Sequence, residues 1–321
     1  MYIYGNMVTN CQPSSNNMKE NDGNLNLMQS ICKGGTLYSL VSSDAIRFAI
    51  RNKFLEVIQK NDIKTVDIDG KKYKIDVNKT YDMNSHSYSY KQNDFNDTIS
   101  LIVKDTTDTL NYFVDDDVMG YMTTKGSEKG ERGSCSKRTS SLKVNNFVSL
   151  TPFERNILGH FATAGGTPGK NKSADSNENC VPHSEEVHFT SYQMPFALNE
   201  NDYIGGKMIT DIILDIFCDF PAVGGKHSRF LYDFSPIVVV IRKTKDMSSK
   251  IQYCILEKDD GSLCFNDTTY NKIKYGDINK EELFIGSNVN SIYDIAKNDL
   301  KLPKDNISKS IREIFNKVKN K

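Results

Sequence analysis

From Asp44 to about Lys60 the apolar residues recur at helical spacing: Ile46, Ile50, Phe54, Val57 and Ile58, with Ala45 and Ala49 beside them. This stripe predicts an amphipathic helix with its core face fixed. Ser42 and Ser43 precede it as N-cap residues, because a serine oxygen accepts a first-turn amide. Gly34-Gly35 hinges the approach. A second helical pattern covers 207–217, with Ile209, Ile212, Ile213, Ile216 and Phe217 inward, and stops before Pro221. Two more helices are expected at about 288–300 and 306–320, the last with Ile307, Ile311, Ile314, Phe315 and Val318 on one face.

Strand patterns fall between the helices. Residues 2–8 are aromatic and apolar and end at Thr9-Asn10. Residues 236–242 form a continuous branched run, the mark of a strand buried on both faces. Further extended pieces are expected at 110–114, 142–150 and 187–196. Hairpins are expected around Asp69-Gly70 and over Asp259-Asp260-Gly261, and a short helix over 98–103. The segments 11–30, 83–98, 123–140 and 159–188 are polar and without period, so they read as loops or exposed insertions. Stripped of insertions, the order is strand, helix, two strands, helix, strand. That is an α+β chain with the split βαβ arrangement of a ferredoxin-like or RNA-recognition fold.

Composition narrows the partners. The 321 residues carry 41 basic and 41 acidic side chains, so this is no general polycation, and any nucleic-acid site is a local patch. Such patches lie at 31–53, 125–143 and 301–321. Seven cysteines, odd in number and without a CxxC pair, suit reduced thiols in a cytoplasmic protein. No signal-peptide pattern opens the chain, and the longest apolar run, 237–241, is too short to span a bilayer.

The helix at 44–60 carries the main candidate site. Arg47 and Arg51 stand four apart, one above the other. Arg47 lies near the positive end of the helix dipole, where a cation is disfavoured. Two arginines, free amides and serine hydroxyls there suit an external anion such as phosphate. Pairing of Asp44 with Arg47 is the alternative. A second glycine-hinged basic loop follows at Gly224-Gly225, with Lys226, His227, Ser228 and Arg229, and Lys137-Arg138 forms a third basic element among hydroxyls. Cys180, His183 and His188 match no paired zinc-ligand spacing. Asp115-Asp116-Asp117 reads either as a solvated turn or as a divalent-metal site for phosphodiester hydrolysis. No nucleophile, base and orienter set is visible, so neither enzyme activity nor a cofactor or metal is expected.

Several stretches together resemble one family: Val8-Thr9-Asn10, Gly34-Gly35 through Arg51, 113–122, 137–140, 147–152 and Val223 through Pro236. They resemble the DevR family, the backbone subunit of type I-B CRISPR Cascade complexes, over most of 1–60, 111–165 and 205–245. The resemblance implies one hand-shaped domain over 1–321. Its palm would come from about 1–60, 111–158 and 201–265, with 61–110 as fingers, 159–200 as a thumb-like flap and 266–321 as a C-terminal helical extension. It implies copies of the chain stacked along a guide RNA with other Cascade subunits, target DNA reached through the guide, and no membrane. Carried over, the RNA-backbone contacts would be Asn10, Ser42, Ser43, Arg47, Arg51, Lys137, Arg138, Lys226, His227 and Arg229. Related type III subunits cut RNA with a loop aspartate, so a metal-dependent ribonuclease is the alternative, with Asp22 or 115–117 as candidates. A transcriptional or developmental regulator is another.

Overall fold

The computed structural model describes residues 1–16, 21–68, 70–76, 79–82, 87–90, 102–104, 110–125, 134–162, 181–224 and 232–321. The principal elements are β1 (Tyr2–Thr9), β2 (Thr36–Val41), α1 (Ser43–Lys60), α2 (Val114–Met119), β3 (Phe147–Ser149), β4 (Tyr192–Asn199), α3 (Gly206–Cys218), β5 (Pro236–Thr244), α4 (Asp267–Lys274), β6 (Leu283–Ser287) and α5 (Ile311–Asn320).

One nine-stranded sheet organises them. Its order runs Ile307–Ser308, β6, β5, β1, β4, β3, β2, Ser30–Lys33, with Lys143–Val144 also pairing β4. All pairs are antiparallel except the short strand Ile307–Ser308 on β6. The middle of the sheet reads β5-β1-β4-β3. Helix α1 lies between β1 and β3 in sequence, and α3 between β4 and β5.

Alternate residues of each strand face opposite sides. Ile3 and Met7 of β1, with Val239 and Ile241 of β5, enter a first core with α1, α3 and α5. Tyr4, Val8, Val238 and Val240 enter a second core with Ile273 of α4 and with Ile292 and Ala296. Both faces of the sheet are therefore covered, which explains the unbroken apolar run in β5. Gly5 stands opposite Phe196, whose ring stacks on Phe217 at 4.1 Å. A Cβ at Gly5 would meet that ring at 2.1 Å, so the aromatic stack needs the bare backbone.

Several expectations are corrected. The stretch 123–140 is not a loop throughout: Tyr121–Lys125 and Ser134–Arg138 pair as an antiparallel ribbon. Within 159–188, Ile157–Ala162 pairs with Val181–Glu186. Neither ribbon shows a regular apolar alternation in sequence; backbone pairing defines them. Residues 115–117 lie in a short helix, not a turn or strand. Residues 102–104 are extended, and the rest of the helix expected over 98–103 lies outside the described residues. The flap cannot extend to residue 200, because β4 occupies the middle of the sheet. Nor is 266–321 a helical appendage, since β6 joins the sheet and α5 fills the first core. In the 61–110 segment, Val66, Tyr73 and Ile75 also pack into that core. The described residues contain no helix long and apolar enough to cross a membrane.

Candidate nucleic-acid interface

Helix α1 begins where β2 leaves the sheet. Ser42 caps it: its Oγ accepts the Ala45 amide at 3.3 Å. The Ser43 amide donates instead to Asn146 Oδ1 at 2.8 Å, in the loop before β3. The half-buried Arg47 turns into the fold. Its Nη2 donates to the Met119 carbonyl at 2.6 Å, and its Nη1 donates to Ser140 Oγ at 2.9 Å and the Leu142 carbonyl at 3.5 Å. Burial, followed by the charge of Arg51, holds the Arg47 guanidinium below its ordinary pKa, and Asp44 acts the other way. An arginine remains charged through such a shift. The expected open phosphate grip is thus corrected: Arg47 satisfies the C-terminal carbonyl of α2 and the chain that follows Arg138.

The aspartate triplet supplies the matching charges. Asp115, 1% exposed, lies 3.3 Å from Arg51 Nε. Asp117, fully buried, is ion-paired with Arg138. Its two carboxylate oxygens also accept the amides of Ile204 and Gly205, both at 3.1 Å, just ahead of α3. Arg138 Nη2 also donates to the Asp202 carbonyl at 2.8 Å. Candidate cations and candidate metal ligands are therefore each other's partners. Gly120 closes α2 at φ 69°, and a Cβ there would meet the Arg138 carbonyl at 2.3 Å. Glycine lets the two backbones touch. Beside this knot Lys137 is exposed at the root of the 121–138 ribbon.

Asn10 belongs to a second group. It is exposed one residue beyond β1, and its carbonyl accepts the Tyr232 hydroxyl at 3.1 Å. That hydroxyl also contacts Thr9 Oγ1 at 2.7 Å and donates to the Thr190 carbonyl at 3.0 Å. The residue just after the second glycine loop is thereby stapled to the end of β1. Lys226, His227 and Arg229 themselves lie outside the described residues. By strand register Ser42 is level with Asn6, so Asn10 stands four residues along and three strands across from it, about 20 Å away. The structure brings Ser42, Ser43, Arg47, Arg51, Lys137 and Arg138 together, and sets Asn10 apart beside Tyr232.

A buried polar chain that the sequence did not reveal backs this second group. His188 Nδ1 lies 2.7 Å from Ser39 Oγ, and its Nε2 lies 3.2 Å from Thr151 Oγ1. Ser39 Oγ also meets the Tyr192 hydroxyl at 2.8 Å, which donates to Ser14 Oγ at 3.1 Å. Burial pushes the His188 pKa down to about 4, against a smaller opposing effect of the Pro152 carbonyl. His188 thus acts as a neutral structural group; Cys180 and the His183 side chain lie outside the described residues. Only strand alternation around His188 hinted at its burial, and its partners are distant in sequence.

Comparison with known proteins agrees with this architecture along nearly the whole chain. A protein of Myxococcus xanthus (strain DK1622) described as CRISPR-associated protein Cas7/Cst2/DevR is 29% identical over 291 residues, which cover 90% of this chain and 87% of that protein. A chain of a CRISPR RNA-guided surveillance complex superposes with a TM-score of 0.52 at 13% identity, covering 100% of this chain and 99% of its own. A second, from a CRISPR RNA-guided surveillance complex in a pre-nicking state, gives 0.57 at 11% identity, with coverage of 100% and 99%. The model of the family described as CRISPR-associated negative auto-regulator DevR/Csa2 matches residues 6–310, and the chain belongs to that family.

Proposed function

We propose that this chain is a guide-RNA-binding backbone subunit of a type I-B Cascade surveillance complex, cytoplasmic and not itself an enzyme. It would line up with copies of itself along the guide and leave the bases free to pair with target DNA. The observation that carries this reading is the extent of the fold likeness: chains of CRISPR RNA-guided surveillance complexes match with coverage of 100% of this chain and 99% of their own. The β5-β1-β4-β3 order with α1 and α3 as crossovers supports a ferredoxin-like, RNA-recognition palm. The 157–186 ribbon suits the thumb and 61–110 the fingers. A guide subunit must ignore sequence, so its contacts go to phosphate and sugar.

We read the labour as divided among the candidate residues. Lys137, with Ser42 and Ser43 at the helix start, is read as one set of backbone contacts, and Asn10 with Lys226, His227 and Arg229 as another. Arg47, Arg51 and Arg138 are read chiefly as the frame that holds those contacts. Asp115 and Asp117 are buried against arginines, which favours binding over cutting.

Purification from the native host, or with the neighbouring operon, tests the reading: the extracted nucleic acid should run as one short RNA of defined length. Lys137→Glu and Arg229→Glu should each weaken RNA binding equally for unrelated sequences. Each should lower the salt slope by about 0.7 per lost phosphate contact. Loss confined to one sequence would refute the backbone assignment.

A further inference from the structure

The face of the sheet opposite α1, α3 and α5 is covered by the C-terminal layer, residues 250–306. The chain as a whole is neutral, yet residues 267–321 hold eleven basic residues against eight acidic ones. Part of that excess gathers over tyrosine rings. Lys297 and Lys309, from separate segments, both reach the ring of Tyr293, with their ammonium groups 5.8 Å and 5.3 Å from its centre. Lys274 stands 5.5 Å from the ring centre of Tyr270 and 5.8 Å from that of Tyr275. Tyr275 is 75% exposed, and Lys274, Lys297 and Lys309 are exposed as well. Among the described residues no carboxylate is ion-paired with these three lysines, although Asp294 and Asp299 are near them in sequence; Lys309 donates to Asn290 Oδ1 at 2.9 Å.

Two ammonium groups converging on one ring repel each other, and the ring's negative face offsets only part of that repulsion. An added anion would relieve the remainder. An exposed tyrosine and two half-buried ones beside lysines without an ion pair are what a single nucleic-acid strand requires: cations for phosphates and π-faces for bases. An acidic peptide would need the cations but not the rings. We propose that two patches of the C-terminal layer, Lys274-Tyr275 and Tyr293-Lys297-Lys309, bind a single nucleic-acid strand other than the guide, on the opposite side of the sheet from α1. This assignment does not rest on the guide-binding role of the first face.

Fluorescence polarisation with a labelled twenty-residue oligothymidylate, on the protein as purified, measures this binding directly. The double variant Lys297→Ala/Lys309→Ala should bind the probe at least tenfold more weakly and with a salt slope lower by about 1.4. Tyr275→Ala should also weaken it roughly tenfold, while both variants keep the parent's melting temperature. Unchanged probe affinity in the lysine variant would overturn the proposal. So would displacement of the probe by poly-L-glutamate at equal charge concentration, or loss of copurifying RNA in place of probe binding. Failure of the guide reading has a different signature, a parent protein that carries no RNA, so the two can be told apart.

Discussion

A buried carboxylate such as Asp117 needs donors around it, and here an arginine and two backbone amides supply them. Asp117→Ala would strand Arg138 and both amides inside the fold, a loss on the order of 3–5 kcal/mol. Calorimetry should show a lowered melting temperature of the same size in EDTA and in magnesium; a stable variant that loses a metal-dependent cleavage would overturn this assignment. His188 makes a prediction about pH. Its folded pKa, about 4, lies below the ordinary 6.5, so between those values the unfolded chain binds more protons. Its contribution to stability is present in full above pH 6.5 and declines as the pH falls toward 4. Thermal melts of the parent and His188→Gln should run parallel above pH 6.5 and converge below it; parallel curves throughout would place the histidine's titration elsewhere. Neither arrangement was legible in the sequence, for one reason. Residue types at 47, 51 and 115–117 signalled charge, but Arg47 meets Ser140 ninety-three positions later and Asp117 meets Gly205 eighty-eight positions later. An arginine awaiting an outside anion and one awaiting a distant carbonyl look alike in a linear chain.

Elements with a sustained period could be read. Helix α1 keeps its apolar stripe for more than three turns and buries Ile46, Ile50, Phe54, Val57 and Ile58 as the spacing required. Helix α3 and strand β5 follow the same logic, and the strand–helix order they impose was visible once the insertions were set aside. Helix α2 was not visible. It has six residues, no side-chain N-cap and three adjacent aspartates, too little to persist on its own. Contacts from outside hold it: Arg51 and Arg138 on its acids, Arg47 on its last carbonyl. The ribbons at 121–138 and 157–186 were missed for the complementary reason. Short strands without a regular apolar alternation leave no period to find, only backbone pairing. Tertiary structure thus supplied the elements whose own sequence lacked a reason to form, and these lie beside the candidate RNA contacts.

At the scale of the whole molecule, the order of the sheet makes the chain's last third structural rather than appended. β6 extends the sheet beyond β5, and α5 lies across it, with Gly286 leaving room beneath: a Cβ there would meet Ile311 and Ile314 at 3.2 Å. Ile311, Ile314, Phe315 and Val318 of α5 are all buried in the first core, beside α3. At about 1.5–3 kcal/mol for each apolar side chain removed from water, the four contribute on the order of 6–12 kcal/mol. A whole domain is commonly stable by only about 5–15 kcal/mol. Removing 309–321 should therefore abolish cooperative unfolding, leaving a chain without a sharp thermal transition and with exposed apolar surface that binds dye. The faces of β5 that enter both cores would lose cover on one side while α4 still covered the other, so secondary structure should survive in far-ultraviolet dichroism after the sharp melt is gone. A truncated protein that melts as sharply and as high as the parent would instead mark α5 as a removable extension, and would leave the first core resting on α1 and α3 alone.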